Sequence, residues 1–428
     1  MKFLKLLKQL FLYKDLRRRA LIVLGFLIFS RVLANIPLPD VNLDRLKALF
    51  ESNQFFGLIN IFSGGALSKF SIALLGLGPY ITAIIILQLL TFVYPRLKEM
   101  YYEEGEIGRA KFNQYARILT VPLALIQAFG FLNFLQTKDI IYLTPFGLIR
   151  DAIIVTTGVI ILMWIGELIT EQKLGNGVSL IIFSGIVAGA PSTLAQIYFS
   201  FASKNFSIEQ LQIYILFLIL AVLIIAGIIF VNEAERRIQL VFAKRVRGTK
   251  IYGGSTTYLP VRIAQAGVIP IIFAIALLLF PQTLIQFLSF AKIQFLETFL
   301  TSLNSFFNNP LIFGILYFIL VFGFTYLYTS ITFNPEEISK NLQSSGAFIP
   351  GIRPGKETEK YFKNIVSRLT FFGGLFLGFI AVLPYIFQFI TKTNFLAIGG
   401  TSILILVSVA IETVKKIESE LSLREYEV

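Results

Sequence analysis

The stretch NIFSGGALSKFSIALLGLGPYITAIIILQLLT, residues 60–91, holds the two features that decide the architecture. Its second part, from Ser71 onward, is an apolar run long enough to cross a hydrocarbon core of about 30 Å. The run is continuous and lacks the alternation of a barrel strand. It therefore reads as a helix whose backbone amides bond within their own segment. The first part, together with residues 55–59, is apolar but short, is broken at Gly64 and Gly65, and is closed by Lys69. Composition leaves two readings of that piece, a re-entrant half-helix or an amphipathic surface turn. The GLGP run at 76–79 then interrupts the next helix. Non-helical backbone at depth is tolerated only where protein buries it or where it lines a cavity.

Outward from this stretch the same apolar signal recurs. Ten segments carry it: 20–37, 71–94, 118–135, 152–170, 178–199, 211–231, 264–290, 311–331, 369–390 and 398–411. The chain is 56% apolar with a mean hydropathy of +0.76, above the 45–50% apolar content typical of soluble domains. An even number of spans puts both termini on one side. With the N-terminus inside, 29 of the 38 Lys and Arg fall on the cytoplasmic face, the side that basic residues mark. The basic residues 1–19 resemble the start of a signal peptide, but Arg31 interrupts the following run and nine spans come after it. The first helix is expected to remain uncleaved.

The chain has no cysteine and no histidine, which excludes disulfides, thiolate nucleophiles, Cys/His metal sites and imidazole acid–base work. The ionisable residues within the segments, Arg31, Glu167 and Glu412, sit near segment ends. A charge at the middle of a span usually marks an ion or proton path, so an ion-coupled transporter and an intramembrane enzyme are both disfavoured. No catalytic residue, metal or cofactor is expected. Two long loops, 232–262 and 332–368, are rich in Lys, Arg and Gly. Either they set topology and touch anionic lipid, or they form a docking surface for a large acidic or RNA-containing partner.

Several stretches resemble one family. They are residues 60–91 quoted above, GNGVSLIIFSGIVAG (175–189), ERRIQLVFAKR (235–245), YLPVRIAQAGVIPIIFA (258–274), FNPEEISKNLQSSGAFIPGIRPGKETEKY (333–361) and GGTSILI (399–405). Together they are similar to the SecY family of bacterial protein-conducting channel subunits. GAFIPGIRPG and IFSGGALS are highly specific to it, and the likeness runs from the first helix to the last. It implies an all-α polytopic membrane protein, with ten transmembrane helices in two inverted, pseudo-symmetric halves around a central pore with a plug. The implied divisions are a basic N-terminus (1–19), a first half (20–199, helices 1–5), an external connection (200–210), a second half (211–414, helices 6–10) and a cytoplasmic tail (415–428). A lateral gate between helices 2 and 3 and helices 7 and 8 would release hydrophobic segments into lipid.

The resemblance also implies roles for named residues. Ile81, Ile85, Val178, Ile182, Ile272 and Ile405 would form the pore ring, an apolar constriction that dewets when empty. Asn60, Ile61, Phe62, Ser63, Gly64, Gly65, Ala66, Leu67, Ser68 and Lys69 would form the plug, a short helix seated against that ring. Gln88 is a candidate for the gate, bonding either across to helix 7 or within its own half. Arg236, Arg237, Lys244, Arg245, Lys250 and Arg353 would dock a motor or ribosome through phosphate or carboxylate forks. Implied partners are SecE- and SecG-like small subunits, a SecA-like motor ATPase, the ribosome, signal sequences, translocating chains and membrane lipids. The implied location is the inner (cytoplasmic) membrane with both termini cytoplasmic. The rival reading is a ten-helix secondary transporter, which would require a polar site at the midplane.

The charge distribution generates a topology test. Reporters fused after Lys204 or Lys292 should be extracytoplasmic, and reporters fused after Lys250 or Lys356 cytoplasmic. A reversed reporter in either pair would mean a span missed or invented.

Overall fold

The structure is a computed structural model. It describes residues 13–39, 41, 60, 63–137, 139–202, 208–242, 245–247, 250–252, 256–263, 265, 267, 269–288, 309–391 and 394–425. Of the candidate site residues, Ile61, Phe62 and Lys244 lie outside the described residues. The helices in chain order are α1 (Lys14–Leu33), α2 (Gly78–Leu90), α3 (Pro95–Tyr102), α4 (Gly105–Thr137), α5 (Pro145–Glu171) and α6 (Gly177–Ala202). They continue with α7 (Ile208–Glu233), α8 (Ile269–Leu288), α9 (Pro310–Thr332), α10 (Pro335–Ser345), α11 (Lys356–Thr391) and α12 (Asn394–Glu425).

Each of the ten apolar segments overlaps one of these helices, with α3 and α10 as short additions. Among the described residues four stretches are by themselves long and apolar enough to cross a membrane: Gly105–Thr137, Pro145–Glu171, Leu311–Ser345 and Lys356–Phe387. The pair α2 and α3 makes a fifth, bent by 114°. The apolar stretches Gly177–Pro191, Leu218–Glu233 and Ile269–Leu278 are shorter. Helix starts follow local chemistry. Pro145 and Pro310 open α5 and α9, where a missing N–H costs nothing. Thr144 and Asn309 before them accept from the amides of Gly147 and Leu311 at 3.1 Å each.

Four helix starts differ from the hydropathy reading. The second segment was expected to be helical from Ser71, but α2 begins only at Gly78 and residues 63–77 run through successive turns. Positive φ at Gly64, Gly65, Phe70 and Gly76 explains this, because a right-handed helix cannot contain them. Helices α4 and α11 start well before their apolar segments, at Gly105 and Lys356, since polar first turns add helix without adding hydropathy. Helix α5 starts at Pro145, so the fully buried Asp151 and its partner Arg150, 2.7 Å away, lie inside the helix near its end.

Helix α1 packs on α5 and α6, and α2 packs on α4 and α5. In the second group α9 packs on α8 and α11, and α12 on α7 and α11. Two seams join the groups, α8 against α2 and α4 on one side and α12 against α6 on the other. Buried Thr120, Thr156, Thr325 and Thr329 each return their hydroxyl to the carbonyl four residues earlier, so none of these four hydroxyls is left bare at depth.

The two basic loops are one structure. Strands β1 (Glu235–Phe242) and β4 (Thr256–Arg262) pair antiparallel, with Ile238 opposite Leu259 and Leu240 opposite Thr257. The short strands β2 (Arg245–Arg247) and β3 (Lys250–Tyr252) form a separate hairpin. Strand β5 (Ala347–Phe348), from the other loop, pairs with Val241 and Phe242, giving the order β4-β1-β5. Ile238, Leu240, Val261, Ile349, Phe362 and Val366 fill a small core beneath the sheet. The bundle is all-α as expected, and these five strands are the addition.

Close helix approach generates a stability test. A Cβ on Gly158 of α5 would lie 2.1 Å from the Ile72 carbonyl oxygen, whereas a Cβ on Gly25 of α1 would meet nothing within 4 Å. Gly158→Val should cost about 1–3 kcal/mol, read as a lower midpoint of thermal unfolding in detergent. Gly25→Ala should leave the midpoint at or above the parent's.

Candidate functional site

The six ring residues come from four helices, two in each packed group. Ile81 and Ile85 sit one turn apart on α2, and Val178 and Ile182 one turn apart on α6. Ile272 lies on α8 and Ile405 on α12. Ile405 is 0% exposed and the other four isoleucines no more than 3%, while Val178 is half-buried. All six belong to one apolar cluster, which also takes in Ala66 of the turn segment. All six therefore lie in the extended apolar core that both packed groups share.

A cavity of about 400 Å³ opens onto this cluster, with Ile81, Val178 and Ile272 in its lining. It lies at the end of the bundle from which the sheet grows, since Tyr328 in the last turns of α9 also lines it. Its upper wall is polar and includes Asn113, Arg117, Glu167, Thr170, Asn176 and Ser179. Arg117 Nε donates to Glu167 Oε1 at 2.8 Å, and the Tyr80 hydroxyl donates to the same oxygen at 3.3 Å. One carboxylate therefore clips α2, α4 and α5 together. Sequence reasoning marked Glu167 only as a charge near a span end and missed Arg117 and Tyr80. Their separation along the chain left no local signal.

Gln88 lines the same cavity opposite Ile269 and Phe273 of α8. Its Oε1 is buried without a partner among the described residues, and Tyr101 of α3 lines the same cavity.

The plug candidates were expected to form a short helix. Among the described residues only Asn60 is helical, and residues 63–70 are turns, with φ of 66° and 82° at Gly64 and Gly65. Side chains stitch these turns. The amide of Ser68 donates to Asn60 Oδ1 at 2.9 Å, and that of Leu67 to Ser63 Oγ at 3.1 Å. Beyond them the Leu38 amide donates to the Phe70 carbonyl at 2.7 Å and the Ile72 amide to the Ile36 carbonyl at 3.0 Å. The segment is thereby anchored to the chain that leaves α1.

Arg236 and Arg237 are exposed on β1, and Arg237 Nε lies 2.9 Å from Glu235 Oε1. Arg245 and Lys250 belong to the β2–β3 hairpin. Arg353 projects into solvent from a turn with positive φ at Gly351 and Gly355. That turn is pinned from both sides. Thr358 Oγ1 donates to the Arg353 carbonyl at 2.9 Å and Ser339 Oγ to the Gly355 carbonyl at 2.7 Å. Arg236 and Arg237 therefore ride on the three-stranded sheet, Arg245 and Lys250 on the separate hairpin, and Arg353 on the pinned turn that follows β5.

The family model described as SecY matches residues 71–414. A relative from Synechocystis sp., named protein translocase subunit SecY, is 41% identical over 96% of this chain and 93% of its own. The protein of the same name from Thermotoga maritima is 40% identical over 98% of this chain and 96% of its own. Among solved structures, one described as a protein conducting channel superposes with a TM-score of 0.66 at 20% identity, covering 93% of this chain and 91% of that one. Another, concerned with the plug domain of the SecY protein, gives 0.64 at 22% identity over 92% and 90%. The match to the family model and the identity along nearly the whole of both chains lead to one conclusion: this chain belongs to the SecY family.

Proposed function

We propose that this chain is the channel subunit of a protein translocase in the inner membrane, with both termini cytoplasmic. It conducts unfolded polypeptides across the membrane and releases hydrophobic segments sideways into lipid. The observation that carries this reading is a polar-walled cavity whose floor is aliphatic and is drawn from helices of both packed groups. A wet mouth admits a hydrated chain. A narrow apolar floor sheds water when empty and offers a passing chain no specific bond. Ions stay out by the same dewetting, without any covalent step. A secondary transporter would instead need a polar binding site at that floor.

In this reading Ile81, Ile85, Val178, Ile182, Ile272 and Ile405 are the gasket, and the turn segment around Ser63–Lys69 is the plug beyond it. The seam of α8 against α2 and α4 is the lateral gate. The other seam, α12 against α6, is the hinge side on which the two halves turn. Driving energy comes from a SecA-like motor or a ribosome docked on the basic sheet, and SecE- and SecG-like subunits brace the halves. The canine Sec61 channel in a ribosome-channel complex shares the fold, with a TM-score of 0.62 at 18% identity over 93% of this chain and 91% of that one. That likeness lends support to the ribosome as a partner of the sheet.

Two experiments test the reading. Ile405→Asn places an amide that holds water in a fully buried position of the floor. It should raise resting ion conductance in planar bilayers with no substrate present. A variant as tight as the parent would make these isoleucines ordinary core. Arg353→Glu should lower export into vesicles by about tenfold or more at normal protein level, because like charges facing each other across an interface cost several kcal/mol. Unchanged export would reduce the basic loops to topology signals.

A further inference from the structure

The last turn of α1 carries an arginine in an unusual place. Arg31 Nη1 donates to the Gly64 carbonyl at 2.7 Å, and its Nε is buried without a partner. Among the described residues no carboxylate forms an ion pair with this guanidinium. Among those residues its charge-assisted bond is to the backbone of the turn segment. Around that bond the fit is close. A Cβ on Gly64 would lie 2.5 Å from Arg31 Nη1, and a Cβ on Gly185 of α6 would lie 2.3 Å from Gly64 Cα and 3.1 Å from Nη1. Gly185 is three residues past Ile182, hence on the same side of α6 as that ring candidate. Helix α1, the turn segment and α6 therefore interlock at one point directly beyond the apolar floor.

We infer that Arg31 is the latch of the closed channel, a positioning residue that holds the turn segment in its seat through the Gly64 carbonyl. This rests on the reading of that segment as the plug. A partly buried cation loses this bonded partner when the segment leaves, so the bond favours the seated state by more than an exposed bond would. A second tie, from Lys69 Nζ to Asn35 Oδ1, lies on the exposed side and is weaker for that reason. The side chain of Asn35 also donates to the Arg31 carbonyl at 2.6 Å, which keeps the two ties on one turn of α1.

The test uses the assembled translocase in planar bilayers without substrate, measuring resting conductance. Arg31→Met, which keeps length but removes charge and donors, should raise the open fraction by about tenfold, the factor a charge-assisted bond carries. Arg31→Lys, which keeps a charged donor, should recover most of the seal. Gly64→Ala should leak with Arg31 intact, and joining it to Arg31→Met should add no further leak, because both break the same bond. The chain has no cysteine, so one spin label introduced at Ser68 reports the segment directly and should gain mobility in Arg31→Met. Deletion of residues 63–69 separates the two levels. A leaking deletion with tight Arg31→Met and Gly64→Ala variants overturns the latch and keeps the plug. A tight deletion overturns the plug reading itself.

Discussion

A membrane interior supplies no water to a backbone amide, and the stretch between Ser63 and Leu77 is built around that shortage. It is not a helix, so its N–H and C=O groups find partners elsewhere. Some are internal, as where the Ser71 amide donates to the Ala66 carbonyl at 3.1 Å. Others lie on the chain leaving α1, through Ile36, Leu38 and Arg31. Satisfying this irregular backbone needs close walls. Gly158 lets α5 lie against the Ile72 carbonyl and Gly185 lets α6 lie against Gly64. The positions of three helices are thus set by the needs of one short turn-rich segment.

The polar wall above the floor obeys the opposite rule. There Glu167 is shared between Arg117 and Tyr80, and the ion pair sits in a cavity that is open rather than sealed. Ion pairs in partly exposed sites add little net stability. They do set geometry, and here one carboxylate holds three helices of the same half in fixed relation. The seam toward α8, by contrast, lacks such a clip among the described residues. Phe273 of α8 meets Phe324 of α9 edge-on at 5.9 Å, a contact within its own half. The ion pair of this wall lies inside one half, and apolar packing of α8 against α2 and α4 lies between the two.

Much of this was legible in the sequence. Each of the ten continuous apolar runs overlaps a helix, because hydropathy measures the property the bilayer selects. Helix ends were less legible where the solvent takes over. The first turns of α4 and α11 are polar and amphipathic, and GLGP starts α2 rather than interrupting it. The strands were available in principle. In ERRIQLVF the buried Ile238 and Leu240 alternate with exposed Arg237 and Gln239, a period of two. The density of charge drew attention to partners instead. The ring isoleucines could not be told from lipid-facing ones by periodicity, since both kinds are apolar; only the resemblance singled them out. The contacts of Arg31 with Gly64 and of Arg117 with Glu167 join distant parts of the chain, so no local pattern carries them.

The pairing of β5 with β1 has a mechanical meaning. The two loops leave the bundle at different helices, yet they are hydrogen-bonded into one sheet and share the core around Phe362. The roots of that plate are α7, α8, α9 and α11, all from the second group, and Gly373 of α11 is wedged against the Ile263 carbonyl just below β4. A load applied to the Arg353 turn is therefore not spent in bending one loop. It acts as a torque on a whole half, with the interhelical seams as the compliant joint and the sheet as the handle.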